Sequence, residues 1–462
     1  MIAKYLPESL HWRHYPERDA GPLSLLPYDR FDWEDHTMLI CRDTGTTLFL
    51  DRASAEAVTR GSISAALQYK LVAHGFARVA HSPCHQSNAG LIRPTFFLID
   101  LTNACNLECR YCLRVPENKG RFMSEERLLA VCHFILSYCR RHDLRRIVIQ
   151  PWGGEPLLRL EQILKIRQFF DNYPDLWVRI TVETNGILLS EDAARRLKAG
   201  RIELSVSVDG PPDLHDLQRC APGGRASSAA VLRGIRNAQA AGYNDLGCIC
   251  VLTAHSIGRV ENILNYAEDV LGLNGVKLNP MHQPAYPCEG LRALNQQEIV
   301  GVSREIIEAV GRIRARGSTL HESCTADRLD NLLRRSDANI CHSCGCCGGK
   351  RMVSFDMDGS IYPCELTDWP DECLGNIDDG RELIDMVREA SSHPYFRAKH
   401  KEECDQCPWW YFCRGGCTSA VKYTRPQIEG VDETECAMNL TLYPLLTKLL
   451  LQNQEEAKKW LK

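Results

Sequence analysis

Six short apolar runs alternate with helical patterns through the middle of the chain, and this alternation constrains the fold more than any other feature. The runs cover residues 95–101, 146–150, 178–183, 202–208, 246–252 and 275–279. Strands that alternate with helices are typical of β/α units around a parallel sheet. Six units predict an α/β fold, a partial (β/α)6 TIM-like barrel. In β/α barrels, function gathers on the loops that follow the carboxyl ends of the strands, so those loops predict the site.

Three cysteines follow the first predicted strand with the spacing C-x-x-x-C-x-x-C: Cys105, Cys109 and Cys112. Three thiolates on one short loop can hold three irons of a cubane [4Fe-4S] cluster and leave the fourth iron open to a small molecule. Electron-transfer ferredoxins usually close all four irons, and structural zinc sites usually use two C-x-x-C pairs. The spacing therefore predicts a cluster with one open iron.

With Tyr111 just before the third cysteine, this loop resembles the cluster loop of the radical S-adenosylmethionine (SAM) superfamily. The resemblance implies that the open iron chelates the amino and carboxylate groups of SAM. It also implies that one electron, from an external donor such as flavodoxin or ferredoxin, cleaves SAM to methionine and a 5′-deoxyadenosyl radical that abstracts a hydrogen atom. The protein then has to position SAM against the substrate, tune the cluster potential and exclude water and oxygen.

The loops after the next strands carry the SAM contacts that the resemblance implies. Gly153, Gly154 and Glu155 match the motif that binds the SAM amino group, because glycines allow close backbone approach and a carboxylate accepts from an ammonium group. The same string is also a simple strand-to-helix turn. Ser207 and Asp209, after the fourth strand, are candidates for ribose or carboxylate contacts, and a capped turn is the alternative.

Three further residues follow later strands. Arg219 resembles the arginine that pairs with the SAM carboxylate, since a guanidinium grips a carboxylate in bidentate fashion. Leu252, at the end of the fifth strand, is implied to contact adenine, and a plain buried strand residue is the alternative. His282 lies past the sixth strand, where it either touches substrate or is a satisfied structural histidine.

Eleven of the 23 cysteines fall between Cys341 and Cys436. Eight thiolates can fully ligate two further [4Fe-4S] clusters, and the pattern resembles the SPASM extension of radical SAM enzymes. That resemblance implies a first auxiliary cluster on Cys341, Cys347, Cys364 and Cys417, and a second on Cys404, Cys407, Cys413 and Cys436. Cys344 and Cys346 leave the first set open, because either is able to replace a predicted ligand. A zinc ribbon is the alternative for residues 404–417.

Glu365 directly follows Cys364. At this position the related anaerobic sulfatase-maturing enzymes carry an aspartate thought to take the substrate proton, and glutamate is one methylene longer. A carboxylate beside an iron-sulfur cluster can have its pKa tuned toward the working range, so Glu365 is the candidate general base. The departure from aspartate counts against formylglycine formation on a sulfatase, which stays an alternative function.

The sequence predicts four regions. Residues 1–93 form a small α+β module in which two strands precede two helices, and residues 94–320 form the barrel. Residues 321–436 form a cysteine-rich iron-sulfur domain, and residues 437–462 a C-terminal helix. The first region resembles winged-helix peptide-recognition elements, which bind a leader peptide as an added strand. The alternative for it is a packing extension of the barrel.

The composition of the chain limits the classes of partner that it is expected to bind. The net charge is −4 and no dense Lys/Arg run occurs, which disfavours a nucleic-acid partner. Neither a secretory signal nor a stretch able to span a membrane is found, so the sequence predicts a cytoplasmic protein without a membrane partner. In that setting, 23 cysteines indicate metal ligation rather than disulfides.

The favoured function is oxidative modification of a peptide or protein substrate, by a thioether, carbon-carbon or related bond. This substrate class follows from the resemblance and not from composition or spacing. Three alternatives stay open: formylglycine formation on a sulfatase, radical dehydrogenation of a small molecule, and a non-catalytic iron-sulfur electron carrier.

Overall fold

The computed structural model describes most of the chain. The described residues are 2–20, 23–79, 92–114, 120–282, 290–333, 341, 345–367, 370–390, 402–424 and 430–461. Cys344 lies outside these ranges. Within them, no helix is both long enough and apolar enough to cross a bilayer.

The N-terminal module contains seven strands and two helices. They are β1 (His11–Tyr15), β2 (Arg18–Ala20), β3 (Leu23–Leu25), β4 (Tyr28–Trp33), β5 (His36–Cys41), β6 (Thr47–Asp51), α1 (Arg52–Arg60), α2 (Ala65–Ala73) and β7 (Ala77–Val79). One antiparallel sheet has the order β1-β4-β5-β6 and a second has the order β2-β3-β7. The two predicted strands, β5 and β6, and the two predicted helices are present. The other five strands are absent from the sequence prediction, because most are very short and β1 is largely polar.

The six predicted strands of the barrel are confirmed as parallel neighbours. They alternate with helices in the order β8 (Phe96–Thr102), α3 (Glu125–Arg141), β9 (Arg146–Gly153), α4 (Leu160–Asp171), β10 (Trp177–Thr184), α5 (Glu191–Ala199), β11 (Ile202–Ser207), α6 (Pro212–Gln218), α7 (Ser228–Ala240), β12 (Gly247–Leu252), α8 (Val260–Asn265), β13 (Gly275–Pro280) and α9 (Gln296–Ala315). A π-helical turn (Tyr266–Val270) follows α8. Three of these seven helices, α3, α5 and α9, begin at a polar cap whose side chain accepts from the first turn: Ser124, Ser190 and Asn295.

Burial along these strands alternates with a period of two, as expected for a sheet with two different faces. Ile180 and Val182 of β10 are buried in the core shared with the helices, whereas Glu183 is partly accessible on the opposite face. Burial along β13 alternates in the same way, since Val276 is buried and Lys277 is partly accessible. We call the concave face that carries Glu183 and Lys277 the lumen.

The C-terminal region extends the same sheet. It contains β14 (His321–Glu322), α10 (Ser323–Leu333), β15 (Met352–Phe355), β16 (Ser360–Tyr362), β17 (Gly375–Asn376), α11 (Leu383–Ala390), α12 (Trp410–Cys413), α13 (Thr418–Thr424), α14 (Glu433–Gln452) and α15 (Gln454–Lys459). The ten strands have the order β14-β13-β12-β11-β10-β9-β8-β15-β16-β17, and β15 pairs in parallel with β8. Hydrogen bonding therefore continues across position 320, where the sequence divides barrel from iron-sulfur region.

Helix α14 connects the C-terminal segment with the cysteine-rich region and the N-terminal module. It begins at Glu433, four residues before the predicted position, because the Asp432 carboxylate accepts from the backbone N–H groups of Thr434 and Glu435. Its Tyr443 ring stacks on Trp409, which in turn stacks on Phe31 of β4, with centroid distances of 5.0 Å in both pairs.

Candidate functional site

The cysteine loop after β8 is fixed by its own polar residues. The Thr102 hydroxyl donates to the Arg121 carbonyl over 2.8 Å and accepts from the Ala104 N–H over 3.0 Å. The Asn103 amide oxygen accepts from the N–H groups of Gly120 and Arg121. These bonds connect the start of the loop with its return near residue 121, so the cysteines are displayed at the carboxyl end of β8.

The three thiols of this loop face one another. Cys109 interacts electrostatically with Cys105 and Cys112, and burial raises the pKa of the Cys109 thiol to about 12. The Cys105 sulfur accepts from the Leu107 N–H over 3.4 Å. Thiolates are the ligands of an iron-sulfur cluster, so a bound metal centre would have to replace the proton of Cys109. Three converging thiols with a backbone N–H donor fit the cubane that the spacing predicts.

Gly153 and Gly154 pack against this loop. The Gly154 N–H donates to the Thr102 carbonyl over 2.8 Å, and the Glu155 N–H donates to the Ala104 carbonyl over 2.9 Å. A Cβ atom on Gly154 would lie 2.3 Å from the Ala104 carbonyl oxygen, and one on Gly153 would lie 2.2 Å from that of Thr102. The glycines are therefore required for close approach of the cysteine loop. Their contact with SAM stays a prediction.

The Glu155 carboxylate is buried and directed at protein groups. It accepts from the Leu157 N–H over 3.0 Å, from the Thr184 hydroxyl over 2.7 Å and from the Asn185 N–H over 2.8 Å. Burial raises the pKa of Glu155 and these hydrogen bonds oppose the shift. Glu155 thus joins the loop after β9 to the end of β10, and Asn185 extends the link to the cysteine loop by donating to the Asn106 side chain over 2.7 Å.

Tyr111, Asp209 and Arg219 meet in one buried cluster. The Tyr111 hydroxyl donates to Asp209 Oδ2 over 2.7 Å, and Arg219 Nε lies 3.0 Å from Asp209 Oδ1. The Arg219 guanidinium also lies over the Tyr111 ring, 5.3 Å from its centroid. Asp209 Oδ1 accepts from the Val251 N–H of β12 over 2.9 Å. The sequence predicts separate SAM contacts for these three residues, whereas in the structure the Asp209 carboxylate is occupied by protein donors.

A buried histidine supports this cluster. Burial lowers the pKa of His215 to about 4, so the imidazole is neutral. His215 Nδ1 accepts from the Asp209 N–H over 3.3 Å, which leaves Nε2 to donate to the Ser227 hydroxyl over 3.1 Å. Ser227 donates in turn to the Arg219 carbonyl over 2.5 Å. The chain of bonds holds Asp209 and Arg219 from the side away from the cysteine loop.

Replacing Asp209 with asparagine should destabilise the fold by about 3–5 kcal/mol, because Arg219 would remain buried with its counter-charge removed. Chemical denaturation of the apo-protein measures the change. Asp213→Asn is the control, since Asp213 pairs with Arg259 at a largely exposed position and should cost less than about 1 kcal/mol. Equal stabilities of the Asp209→Asn protein and the wild type would contradict the assigned pairing.

The remaining predicted SAM contacts lie on opposite faces of the sheet. Ser207 of β11 is partly accessible on the lumen face. Leu252 is fully buried in the core, and its carbonyl accepts from the Met281 N–H over 2.8 Å. Its neighbour Val251 alternates to the lumen face. Contact of Leu252 with adenine stays a prediction, and Val251 is the residue of this strand end whose side chain faces the lumen.

A group of charged side chains in the lumen is absent from the sequence prediction. Glu183, Lys277 and Glu365 interact electrostatically with one another. Burial raises the pKa of Glu183 and of Glu365, and the Lys277 charge opposes the shift in both. On β8, which is separated from β10 by β9, Asp100 pairs with Arg114 over 2.7 Å. The strict alternation of β10 and β13 places Glu183 and Lys277 on the lumen face, a signal already present in the sequence.

Three buried polar atoms near this group have no hydrogen-bond partner among the described residues: Asp100 Oδ1, Trp152 Nε1 and Glu365 Oε2. Asp100 and Trp152 are paired neighbours on β8 and β9. The Trp152 side chain packs with Cys364, the residue before Glu365. Unsatisfied buried polar atoms are costly, so a bound polar molecule is the expected partner.

Four cysteines of the C-terminal region form one group near the charged residues of the lumen. Cys341 interacts electrostatically with Cys346 and Cys364, and Cys417 interacts with the same two residues. Cys341 also interacts with Glu365 and Lys277. Cys347, which the resemblance implied as a ligand, is fully buried and directs its thiol toward the Gly345 carbonyl. The structure therefore places Cys346 with the other three, and ligation by Cys347 stays a prediction.

The second group contains Cys404, Cys407, Cys413 and Cys436, as the resemblance implied. Cys407 interacts electrostatically with Cys404 and Cys436, and Cys413 interacts with Cys407 and Cys436. Across the described residues, no three His, Cys, Asp or Glu side chains converge in the way that ligands of a single metal ion do. A cubane differs from a single ion because each thiolate binds a different iron.

His282 lies at the edge of the described residues and is partly buried. It interacts electrostatically with Asp432, the residue that caps α14. Both roles of His282, contact with a substrate and a structural contact, stay predictions.

Comparison with known proteins places these features in a family. The sequence model of the Radical SAM superfamily matches residues 99–267. The cysteine-type anaerobic sulfatase-maturating enzyme of Clostridium perfringens is 24% identical over 331 residues, which are 68% of this chain and 86% of that protein. The mycofactocin maturase MftC of Mycobacterium ulcerans is 26% identical over 370 residues, which are 76% of this chain and 90% of that protein.

A probable GTP 3′,8-cyclase of Methanopyrus kandleri is 30% identical over 301 residues, which are 63% of this chain and 87% of that protein. The solved structure of native anSMEcpe with bound AdoMet and Cp18Cys peptide has the same fold, with a TM-score of 0.67 at 20% identity. The match covers 79% of this chain and all of that one. Together with the cysteine loop after β8, these similarities show that the chain belongs to the radical SAM superfamily.

Proposed function

We propose that this radical SAM enzyme oxidatively modifies a peptide or protein by forming a thioether, carbon-carbon or related bond. Bound together, the [4Fe-4S] cluster and SAM supply a 5′-deoxyadenosyl radical that abstracts a hydrogen atom from the substrate. The observation that carries the proposal is the set of three unpartnered polar atoms in the lumen, on Asp100, Trp152 and Glu365. Two acceptors and one donor suit a peptide, whose backbone offers both N–H and C=O groups.

The proposed ligands of the clusters follow the grouping of the thiols. Cys105, Cys109 and Cys112 would hold the cluster that leaves one iron for SAM. The first auxiliary cluster would be held by Cys341, Cys346, Cys364 and Cys417, and the second by Cys404, Cys407, Cys413 and Cys436. Cys346 is chosen for the first set because it interacts with both Cys341 and Cys417, and Cys347 is the alternative ligand.

Glu365 is the proposed general base. It follows the cluster ligand Cys364, and its Oε2 atom is one of the unpartnered lumen atoms. Burial raises the pKa of Glu365, which suits a group that accepts a substrate proton, and the charges of Lys277 and Arg114 oppose this shift. Closed auxiliary clusters suit removal of the electron that remains on the substrate, because they conduct electrons without an open iron.

Two relatives support a peptide substrate. One listed above is named a mycofactocin maturase, and the solved structure with the same fold contains a bound peptide. A leader peptide is the proposed ligand of the N-terminal module, whose smaller sheet has β2 and β7 at its edges. An external one-electron donor such as flavodoxin or ferredoxin is proposed, as is a cytoplasmic location.

Anaerobic reconstitution with iron, sulfide, SAM and dithionite tests the function. We expect about twelve irons per chain, because each of three cubanes carries four, and formation of 5′-deoxyadenosine. Peptides encoded by the open reading frames beside the gene serve as substrates for mass spectrometry, and a peptide with a sulfatase motif is the comparison. A loss of about two hydrogens from an adjacent-frame peptide supports the proposal.

Two other outcomes would contradict it. Conversion of serine or cysteine to formylglycine, seen only in the sulfatase-motif peptide, would support the function named for the Clostridium perfringens relative. A chain that holds iron but forms no 5′-deoxyadenosine under these conditions would be an electron carrier.

A further inference from the structure

The N-terminal module packs directly on the second group of cysteines. The turn between β5 and β6 contacts Tyr411, two residues before Cys413, and a Cβ atom on Gly45 would lie 2.1 Å from the Tyr411 ring. Gly45 also has a φ of +66°, which favours glycine. Phe31 of β4 stacks on Trp409, two residues after Cys407. The module therefore forms part of the wall of this cysteine site.

Arg42 is the basic residue of this turn, and two of its nitrogens are held in place by hydrogen bonds. Nε donates to Asp29 Oδ2 over 2.8 Å, and Nη1 donates to the Asp405 carbonyl. Asp29 is completely buried and also accepts from Trp12 Nε1 over 3.0 Å. His14 Nδ1 lies 3.3 Å from the same carboxylate. The guanidinium is thus fixed between a strand of the module and the loop between Cys404 and Cys407.

The third nitrogen of the guanidinium differs from the other two in its hydrogen bonding. Arg42 Nη2 is buried and has no hydrogen-bond partner among the described residues. The Arg42 charge reaches Cys407, because the two residues interact electrostatically. A buried donor without an acceptor is costly, and a cluster sulfur at this site would accept from it.

We propose that Arg42 donates a hydrogen bond to the second auxiliary cluster and raises its reduction potential. The reduced cluster carries one more negative charge than the oxidised cluster. A nearby cation and a hydrogen bond to sulfur therefore stabilise the reduced form more than the oxidised form. The inference depends on the proposed cluster at Cys404, Cys407, Cys413 and Cys436. Arg42 acts here as a positioning residue that tunes electron acceptance and has no contact with the substrate.

The test is a redox titration of the full chain, reconstituted anaerobically and followed by electron paramagnetic resonance. Arg42→Gln should lower the equilibrium constant for reduction of one auxiliary cluster about tenfold, or about 59 mV for one electron. The potentials of the other clusters should not change. Arg42→Lys should give a smaller shift in the same direction, because lysine keeps the charge but its single nitrogen lacks the planar fork that reaches Asp29, the Asp405 carbonyl and the cluster together.

Arg60→Gln is the matched control. It removes the same charge from the same module, but Arg60 is largely exposed and pairs only with Glu56, so solvent screens its charge. All potentials of Arg60→Gln should equal those of the wild type.

The iron content separates failure of this inference from failure of the proposed clusters. About eight irons per wild-type chain would mean that the second auxiliary cluster is absent, and the inference would fail with it. About twelve irons with unchanged potentials in Arg42→Gln would overturn the inference alone. If Arg42→Gln loses iron, then Arg42→Lys decides: a lowered potential supports the hydrogen bond, and a wild-type potential overturns it.

Discussion

Replacing Cys109 with alanine should abolish formation of 5′-deoxyadenosine and leave both auxiliary clusters in place. Cys109 is one of the three thiols on the loop after β8, and a cubane bound by two of them loses the ligation that holds its third iron. The loop itself should persist, because the flanking N–H groups of Glu108 and Arg110 donate to the carbonyls of Cys220 and Gln218. Iron content should fall from about twelve to about eight per chain.

Chromatography of the nucleoside and an iron assay on the same sample measure both effects. Cys220→Ser is the matched control, since Cys220 lies beside the same loop and its thiol donates to the Glu108 carbonyl over 3.1 Å. The serine keeps a donor there, so iron and nucleoside should match the wild type. A Cys109→Ala protein that still cleaves SAM, or that keeps about twelve irons, would contradict the assignment of this loop.

The barrel strands are predictable because their signal is local. Residues 96–102, 146–153 and 177–184 are apolar runs bounded by helical patterns, and β8, β9 and β10 differ from their predicted bounds by at most three residues at either end. Strands β1, β2 and β3 carry no such signal. β1 has the sequence His-Trp-Arg-His-Tyr, and it becomes a strand because it pairs with β4, which begins thirteen residues after β1 ends.

The candidate site likewise has features that the sequence predicts and features that it does not. The motif predicts that Glu155 and Asp209 belong to the site, but their partners Thr184, Asn185 and Val251 lie far along the chain. The sequence therefore gives no indication that protein donors occupy both carboxylates. Neighbouring cysteines present a related difficulty. Cys346 is grouped with the other thiols only when the loop is folded, because spacing alone does not distinguish adjacent residues.

Replacing Glu365 with glutamine should stop product formation and spare SAM cleavage. The amide has the shape of the carboxylate but accepts no proton at neutral pH, so product formation should fall by about 10²–10⁴, the usual contribution of a general base. The cysteine loop and the Asp209–Arg219 pair should be untouched, since the charges that act on Glu365 are those of Lys277 and Arg114. Release of 5′-deoxyadenosine should therefore continue.

The ratio of product to 5′-deoxyadenosine is the measurement that isolates this role, because a structural defect would lower both quantities together. Asp371→Asn provides the control, as Asp371 is an exposed carboxylate six residues further along the chain and should leave the ratio unchanged. Unchanged turnover in Glu365→Gln would remove Glu365 from the mechanism. Parallel loss of product and nucleoside would instead show that Glu365 is needed for the structure of the site. Another lumen residue would then have to accept the proton, and Glu183 is the candidate because it is a buried carboxyl group that also interacts with Lys277.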